Sequence, residues 1–263
     1  MFKLLSIKNK EPALEAGSMV SLNEGLKKVV PFLIIHPSSF FSFSQLINSG
    51  QEFYQLNRLE LSNLKIPTQK VQNLRFLLEN MTRLLSLSLT NTGLFDIGVK
   101  KIMDVLSTSL VSLDLSSNYI ANGICFSGHQ KIWQYLRNVN LSGNKINPLG
   151  LTHFSDMLKH QKTIPLRFLS LKANQINDHG VIRFSQHFKA LTSLFSLDLS
   201  DNQITDDGGI TLFVTLSTLQ SLKKLKLKQN PIDISEMLLK KTVHEMPYLQ
   251  ISIDRKRKPI KSV

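Results

Sequence analysis

A leucine pattern recurs along this chain at a nearly constant step, and that repetition constrains the fold more than any other feature. The stretch LFSLDLSDNQI begins at Leu194. Close copies begin at Leu110 (LVSLDLSSNYI), Leu136 (LRNVNLSGNKI), Leu166 (LRFLSLKANQI) and Leu222 (LKKLKLKQNPI), and looser ones at Leu84 (LLSLSLTNTGL) and Leu56 (LNRLELSNLKI). Successive starts are separated by 28, 26, 26, 30, 28 and 28 residues. A fixed period of this length marks one supersecondary unit stacked on copies of itself, because a unit so short cannot bury its apolar face alone.

Each position in the repeat has a physical role. Leu197 and Leu199 alternate with Ser196, Asp198 and Ser200, the period of a strand with one buried face. Leu194 and Ile204 close the same core from the two ends. Asn202 falls where the chain leaves the strand, and Asn118, Asn144, Asn174 and Asn230 fall at equivalent places. Their amides are expected to bond unpaired backbone groups of a neighbouring coil, forming a ladder. The first two copies carry Leu64 and Thr92 there, so the ladder is expected to weaken at that end.

Gly98, Gly150, Gly180 and Gly208 each lie four residues after the closing Leu or Ile, where a tight approach or a positive φ suits glycine. Behind them the apolar spacing changes to three and four: Val99, Ile102 and Leu106; Leu151, Phe154 and Leu158; Val181, Phe184 and Phe188; Ile210, Phe213 and Leu216. That spacing predicts amphipathic helices with those residues inward. In the third copy Gly123 comes one place early and ICFSGHQKIWQYL makes a poor stripe, which predicts a shorter or irregular helix. MPYLQISID predicts a closing strand with Leu249, Ile251 and Ile253 inward.

Period, leucine spacing and asparagine together resemble leucine-rich repeats, and the long step with a glycine-led second half resembles their ribonuclease-inhibitor type. Seven copies cover about two-thirds of the chain. The resemblance implies an α/β solenoid shaped as a horseshoe, with a concave parallel sheet and convex helices. The chain then divides into an N-terminal cap (1–55), the repeat domain (56–254) and a basic tail (255–263). The cap carries Phe40, Phe41, Phe43 and Phe53, and its PFLIIHPSSFFSF does not match an F-box.

With a single cysteine, Cys125, the chain has no intrachain disulfide framework, and a reducing compartment is expected. The start lacks the apolar segment of a secretory signal peptide, and the run Val29–Ile35, interrupted by Pro31, is too short to span a bilayer. A cytoplasmic protein is expected, or one delivered into a host cell without a classical signal peptide, as for a bacterial effector. The tail RKRKPIKSV resembles nuclear localisation or bacterial export signals and also fits a solubilising segment. The net charge of +13 is concentrated late: from Leu222 onward 11 Lys and Arg face 4 Asp and Glu. No docking element with base-reading groups accompanies it, so an acidic protein surface is favoured over nucleic acid.

Catalysis and cofactors are not expected. The seven histidines are scattered, and His153 and His160 are too far apart to share one metal without further ligands. Cys125 and His129 lie in an irregular loop, where a structural thiol is favoured over a nucleophile. Asp206 and Asp207 lack the alternating ligands of a calcium loop and suit a helix start instead.

Binding is expected on the concave sheet, where the outward positions include Arg58, Glu60, Ser88, Asp114, Asn138, Asn140, Phe168, Lys172, Asp198, Lys224, Lys226 and Lys228. Phe168 is a large apolar group among Ser and Asn, and the three strand lysines form a basic row facing Lys172 across Asp198. The function expected is a non-catalytic interaction module for a protein partner with an acidic surface. The alternatives are a regulator of an enzyme, such as a GTPase-activating protein of the ribonuclease-inhibitor-like type, or a ubiquitin-pathway adaptor.

Overall fold

The computed structural model describes residues 32–35, 56–128, 130–233 and 235–254. Phe40, Phe41, Phe43 and Phe53 of the expected cap, His36, His129 and the tail 255–263 lie outside the described residues.

Nine strands form one parallel sheet in chain order among the described residues: β1 (Phe32–Ile35), β2 (Arg58–Leu61), β3 (Ser86–Ser88), β4 (Ser112–Asp114), β5 (Asn138–Asn140), β6 (Phe168–Ser170), β7 (Ser196–Asp198), β8 (Lys224–Lys226) and β9 (Gln250–Ser252). The register carries the sequence period without a slip: Leu59, Leu87, Leu113, Val139, Leu169, Leu197, Leu225 and Ile251 oppose one another across successive strands. From Leu59 to Leu225 these residues are at most 3% exposed, so the alternation of leucine with polar residues does select one inward face. Each such burial contributes roughly 1.5–3 kcal/mol. β1 pairs in register with β2, so residues before the first leucine copy add a strand to the sheet.

Helices cover the inward face: α1 (Val71–Glu79), α2 (Phe95–Met103), α3 (Gln130–Trp133), α4 (Pro148–Lys159), α5 (Asp178–Ser185), α6 (Asp206–Thr215) and α7 (Glu236–Glu245). The third coil is irregular as expected, with a 3-10 turn at Ile124–Phe126 and a single-turn α3. Aromatic rings fill the space there: Trp133, Phe126 and Phe154 pack edge to face at 5.1–6.1 Å, and the row continues through Phe184 to Phe188. The α6 stripe differs from the expectation. Phe213 and Leu216 face the core as expected, but Ile210 is exposed, and Gly209 and Leu212 are buried with them. α6 keeps the register of α2, α4 and α5, in which the residue after the glycine (Val99, Leu151, Val181) turns inward; here that position is Gly209, and Ile210 falls one residue beyond it.

The asparagine ladder is present. Asn174 donates to the carbonyls of Leu141 (3.0 Å) and Leu171 (2.9 Å) and accepts from the Ile146 N–H (2.9 Å). Asn144 repeats this geometry one coil earlier, and Asn202 and Asn230 one and two coils later. Thr92 ends the ladder, its hydroxyl 2.7 Å from Asn118 Oδ1, and Leu64 is simply buried. The predicted glycines of the helices do not use positive φ. Gly150 is needed for close approach, since a Cβ there would run into the Ala121 carbonyl, while Gly123 across from it adopts φ +67°. The result is an open α/β leucine-rich repeat solenoid with helices on one face of the sheet and, among the described residues, nothing on the other.

Candidate interaction surface

Side chains on the bare face come from the first and third residues of each strand, so their columns are fixed by the same register that builds the core. Arg58, Ser86, Ser112, Asn138, Phe168, Ser196 and Lys224 form one row, and Glu60, Ser88, Asp114, Asn140, Ser170, Asp198 and Lys226 the next. Parallel sheets are ordinarily covered on both faces. Here nothing among the described residues covers the second one.

A shallow depression of about 350 Å³ lies over β4 to β8 and brings together Asp114, Asn138, Asn140, Phe168, Asp198 and Lys226. Ser112, Ser142, Ser170 and Ser196 line it as well. The other six expected positions, Arg58, Glu60, Ser88, Lys172, Lys224 and Lys228, are not part of it. Inside the depression the polar groups are tied to one another. Asp114 accepts from the Asn140 amide at 2.8 Å and from the Ser116 hydroxyl at 2.6 Å, and Asn140 accepts from the Ser142 hydroxyl at 2.7 Å. Such pre-set polar groups lose little freedom on binding.

Phe168 is 42% exposed and is not isolated. Its ring packs on Phe195 with centroids 5.6 Å apart, and the Arg167 guanidinium stands 5.9 Å over it. The basic row is also less uniform than its sequence. Lys226 pairs with Asp198 at 3.2 Å, and at the far end Arg58 pairs with Glu60 at 3.2 Å. Lys172, Lys224 and Lys228 are exposed.

A second groove, of about 610 Å³, was missed by reasoning from strand alternation. It runs along the loops that lead into β5 to β8 and is lined by Arg137, Arg167, Phe195, Lys223, Ser193 and Ser221, among others. Its signal is the residue after the opening leucine of each copy, where Arg, Arg, Phe and Lys stand in successive coils. Alternation assigns no face to that position, because it precedes the strand.

No group of three His, Cys, Asp or Glu among the described residues is placed to hold a metal ion. Cys125 is fully buried, and burial first, then the Asp96 carboxylate, raises its thiol pKa well above the ordinary range. A thiol held protonated is a poor nucleophile. Ser155 lies 2.8 Å from His187 Nδ1 but is 1% exposed, closed to any substrate. No helix among the described residues is long and apolar enough to cross a membrane.

A family model described as Leucine Rich repeat matches residues 134–155 and 190–213. Among solved structures, internalin C2 from Listeria monocytogenes is similar, at 21% identity and a TM-score of 0.53, covering 76% of this chain and 72% of that one. A second internalin (inlF) from the same organism shows 20% identity and a TM-score of 0.39, covering 78% of this chain and 69% of that one. No curated protein matches the chain.

Proposed function

We propose that this leucine-rich repeat solenoid is a non-catalytic interaction module that binds a protein partner with its concave sheet. The carrying observation is the bare face itself, where the depression over β4 to β8 sets a half-exposed aromatic, Phe168, among pre-ordered polar groups. An aromatic anchor in a polar surround is the arrangement that concentrates binding energy at protein interfaces. The exposed Lys172, Lys224 and Lys228 beside it favour a partner with an acidic surface. Steps of 26 to 30 residues and full α-helices such as α4 support the ribonuclease-inhibitor-like subtype.

Crosslinking capture from cell lysate tests this reading, with wild type compared against a variant combining Phe168→Ala with Lys224→Glu, Lys226→Glu and Lys228→Glu. A partner held by wild type and lost by the folded variant is the expected result. A partner retained equally by both removes the concave face as the binding surface. Delivery into a host cell is a separate proposal, carried by the tail 255–263; a translocation reporter that still enters host cells without those residues removes it.

A further inference from the structure

The groove along the loops leading into β5 to β8 is separate from the depression on the concave sheet. Its four principal residues extend the sheet by one position. The Arg167 N–H bonds the Arg137 carbonyl at 2.8 Å, Phe195 bonds Arg167 at 2.8 Å, and Lys223 bonds Phe195 at 2.9 Å. Their backbones are therefore as regularly spaced as strands, about 4.8 Å apart. Arg137 and Arg167 are neighbours, and Lys223 lies three strands from Arg137, about 14 Å away.

Three cations thus line one groove without a compensating acid. Among the described residues Arg137, Arg167 and Lys223 make no ion pair, whereas Lys226 and Arg58 on the concave face are each neutralised within 3.2 Å. Neighbouring cations repel one another, and an unpaired row is relieved by an anion. Two of the three are held in position by rings: Arg167 stands 5.9 Å over Phe168 and Lys223 stands 4.7 Å over Tyr248. A cation drawn to a ring face is restrained in position while keeping its charge.

We propose that this groove docks an extended acidic segment of a protein partner, with carboxylates at alternate positions. In an extended peptide alternate side chains share one side, and residues i and i+4 are about 13–14 Å apart, the separation of Arg137 from Lys223. Arg137 and Arg167 each offer a fork for a carboxylate, and Phe195, between Arg167 and Lys223 in the row, takes an apolar group. Single-stranded nucleic acid would need a succession of ring faces for stacking, and the groove's lining holds one aromatic side chain, Phe195. The proposal does not depend on the concave-face reading, because Lys224 and Lys228 lie outside the groove.

The test is fluorescence anisotropy with the full chain and a fluorescein-labelled peptide of alternating Glu and Ser carrying five Glu. Wild type is compared with Arg137→Gln/Arg167→Gln/Lys223→Gln and with Lys224→Gln/Lys228→Gln. The basic tail is common to all three and cancels from the comparison. The expected result is at least a tenfold weaker Kd for the groove variant and less than a twofold change for the concave variant. A smaller loss in the groove variant, a loss equal to that of the concave variant, or no binding by wild type overturns the proposal. So does tighter, groove-dependent binding of a ten-thymidine oligonucleotide, which would assign the groove to nucleic acid. Unfolding curves establish that the variants fold; should the triple variant fail to fold, Arg167→Gln and Lys223→Gln singly must each weaken binding at least threefold.

Discussion

Lys226 holds its ammonium 3.2 Å from the Asp198 carboxylate on the neighbouring strand. The row of three lysines in β8 and the residue two beyond it therefore presents free charge at Lys224 and Lys228, with the middle cation compensated. The Lys226 side chain is 52% exposed, and exposed ion pairs contribute little because water and salt screen them. Lys226→Met should cost less than about 1 kcal/mol in urea unfolding. A larger loss would mean that the pair organises the sheet face.

Asn174 presents the opposite case. It is 8% exposed and bonds two carbonyls and one N–H across two neighbouring coils. Asn174→Ala should destabilise by about 1–3 kcal/mol, since buried backbone groups lose their partners. An unchanged midpoint in the same urea titration would contradict the ladder's structural role.

Gly150 and Gly123 mark where two coils touch backbone to backbone. A Cβ on Gly150 would collide with the Ala121 carbonyl, and one on Gly123 would come within 2.9 Å of Gly150 Cα. Gly150→Ala should therefore destabilise by about 1–3 kcal/mol through forced separation of the coils. Thermal unfolding that shows Gly150→Ala as stable as wild type would remove the close-contact account.

Much of this was legible in the sequence because one period governs core, ladder and concave rows together. Once Leu113, Val139, Leu169 and Leu197 are aligned, the register follows, and with it the place of Phe168 and Asp198. The Ile210 assignment failed because the inward position after the first glycine, filled by Val99, Leu151 and Val181 in other copies, is Gly209 here, so apolar spacing points one residue too far. The leading-edge groove was missed because Arg137 and Arg167 precede the strand, where alternation assigns no face. Turn geometry was also hidden. The residue before each ladder position adopts positive φ in seven coils, at Asn63, Asn91, Ser117, Gly143, Ala173, Asp201 and Gln229, yet glycine occurs there once.

Ala173 exposes that hidden constraint. Its φ is +54°, a conformation that costs an L-residue with a Cβ about 1 kcal/mol or more. Its N–H must point at the Ser200 carbonyl, 2.9 Å away, to keep the coils joined. Ala173→Gly should thus raise stability by about 0.5 kcal/mol, the relief of strain exceeding the extra freedom of the unfolded chain. A destabilised glycine variant would show that the left-handed turn carries little strain at this position.

Cys125 supplies a pH signature of folding. Burial and then Asp96 raise its pKa in the folded chain, so the folded state holds the thiol proton more tightly than the unfolded state does. The stability linked to this group is fully present below the unfolded thiol's pKa of about 8.5 and is lost as pH rises through the folded value. Within that window the loss approaches about 1.4 kcal/mol per pH unit. Lysines and tyrosines titrate in the same alkaline range, so the informative quantity is a difference. Cys125→Ala should be less stable than wild type at pH 7.5, because it leaves a cavity, and the gap should narrow by pH 10. A gap that stays constant or widens with pH would show that the buried thiol keeps an ordinary pKa and that Asp96 does not act on it.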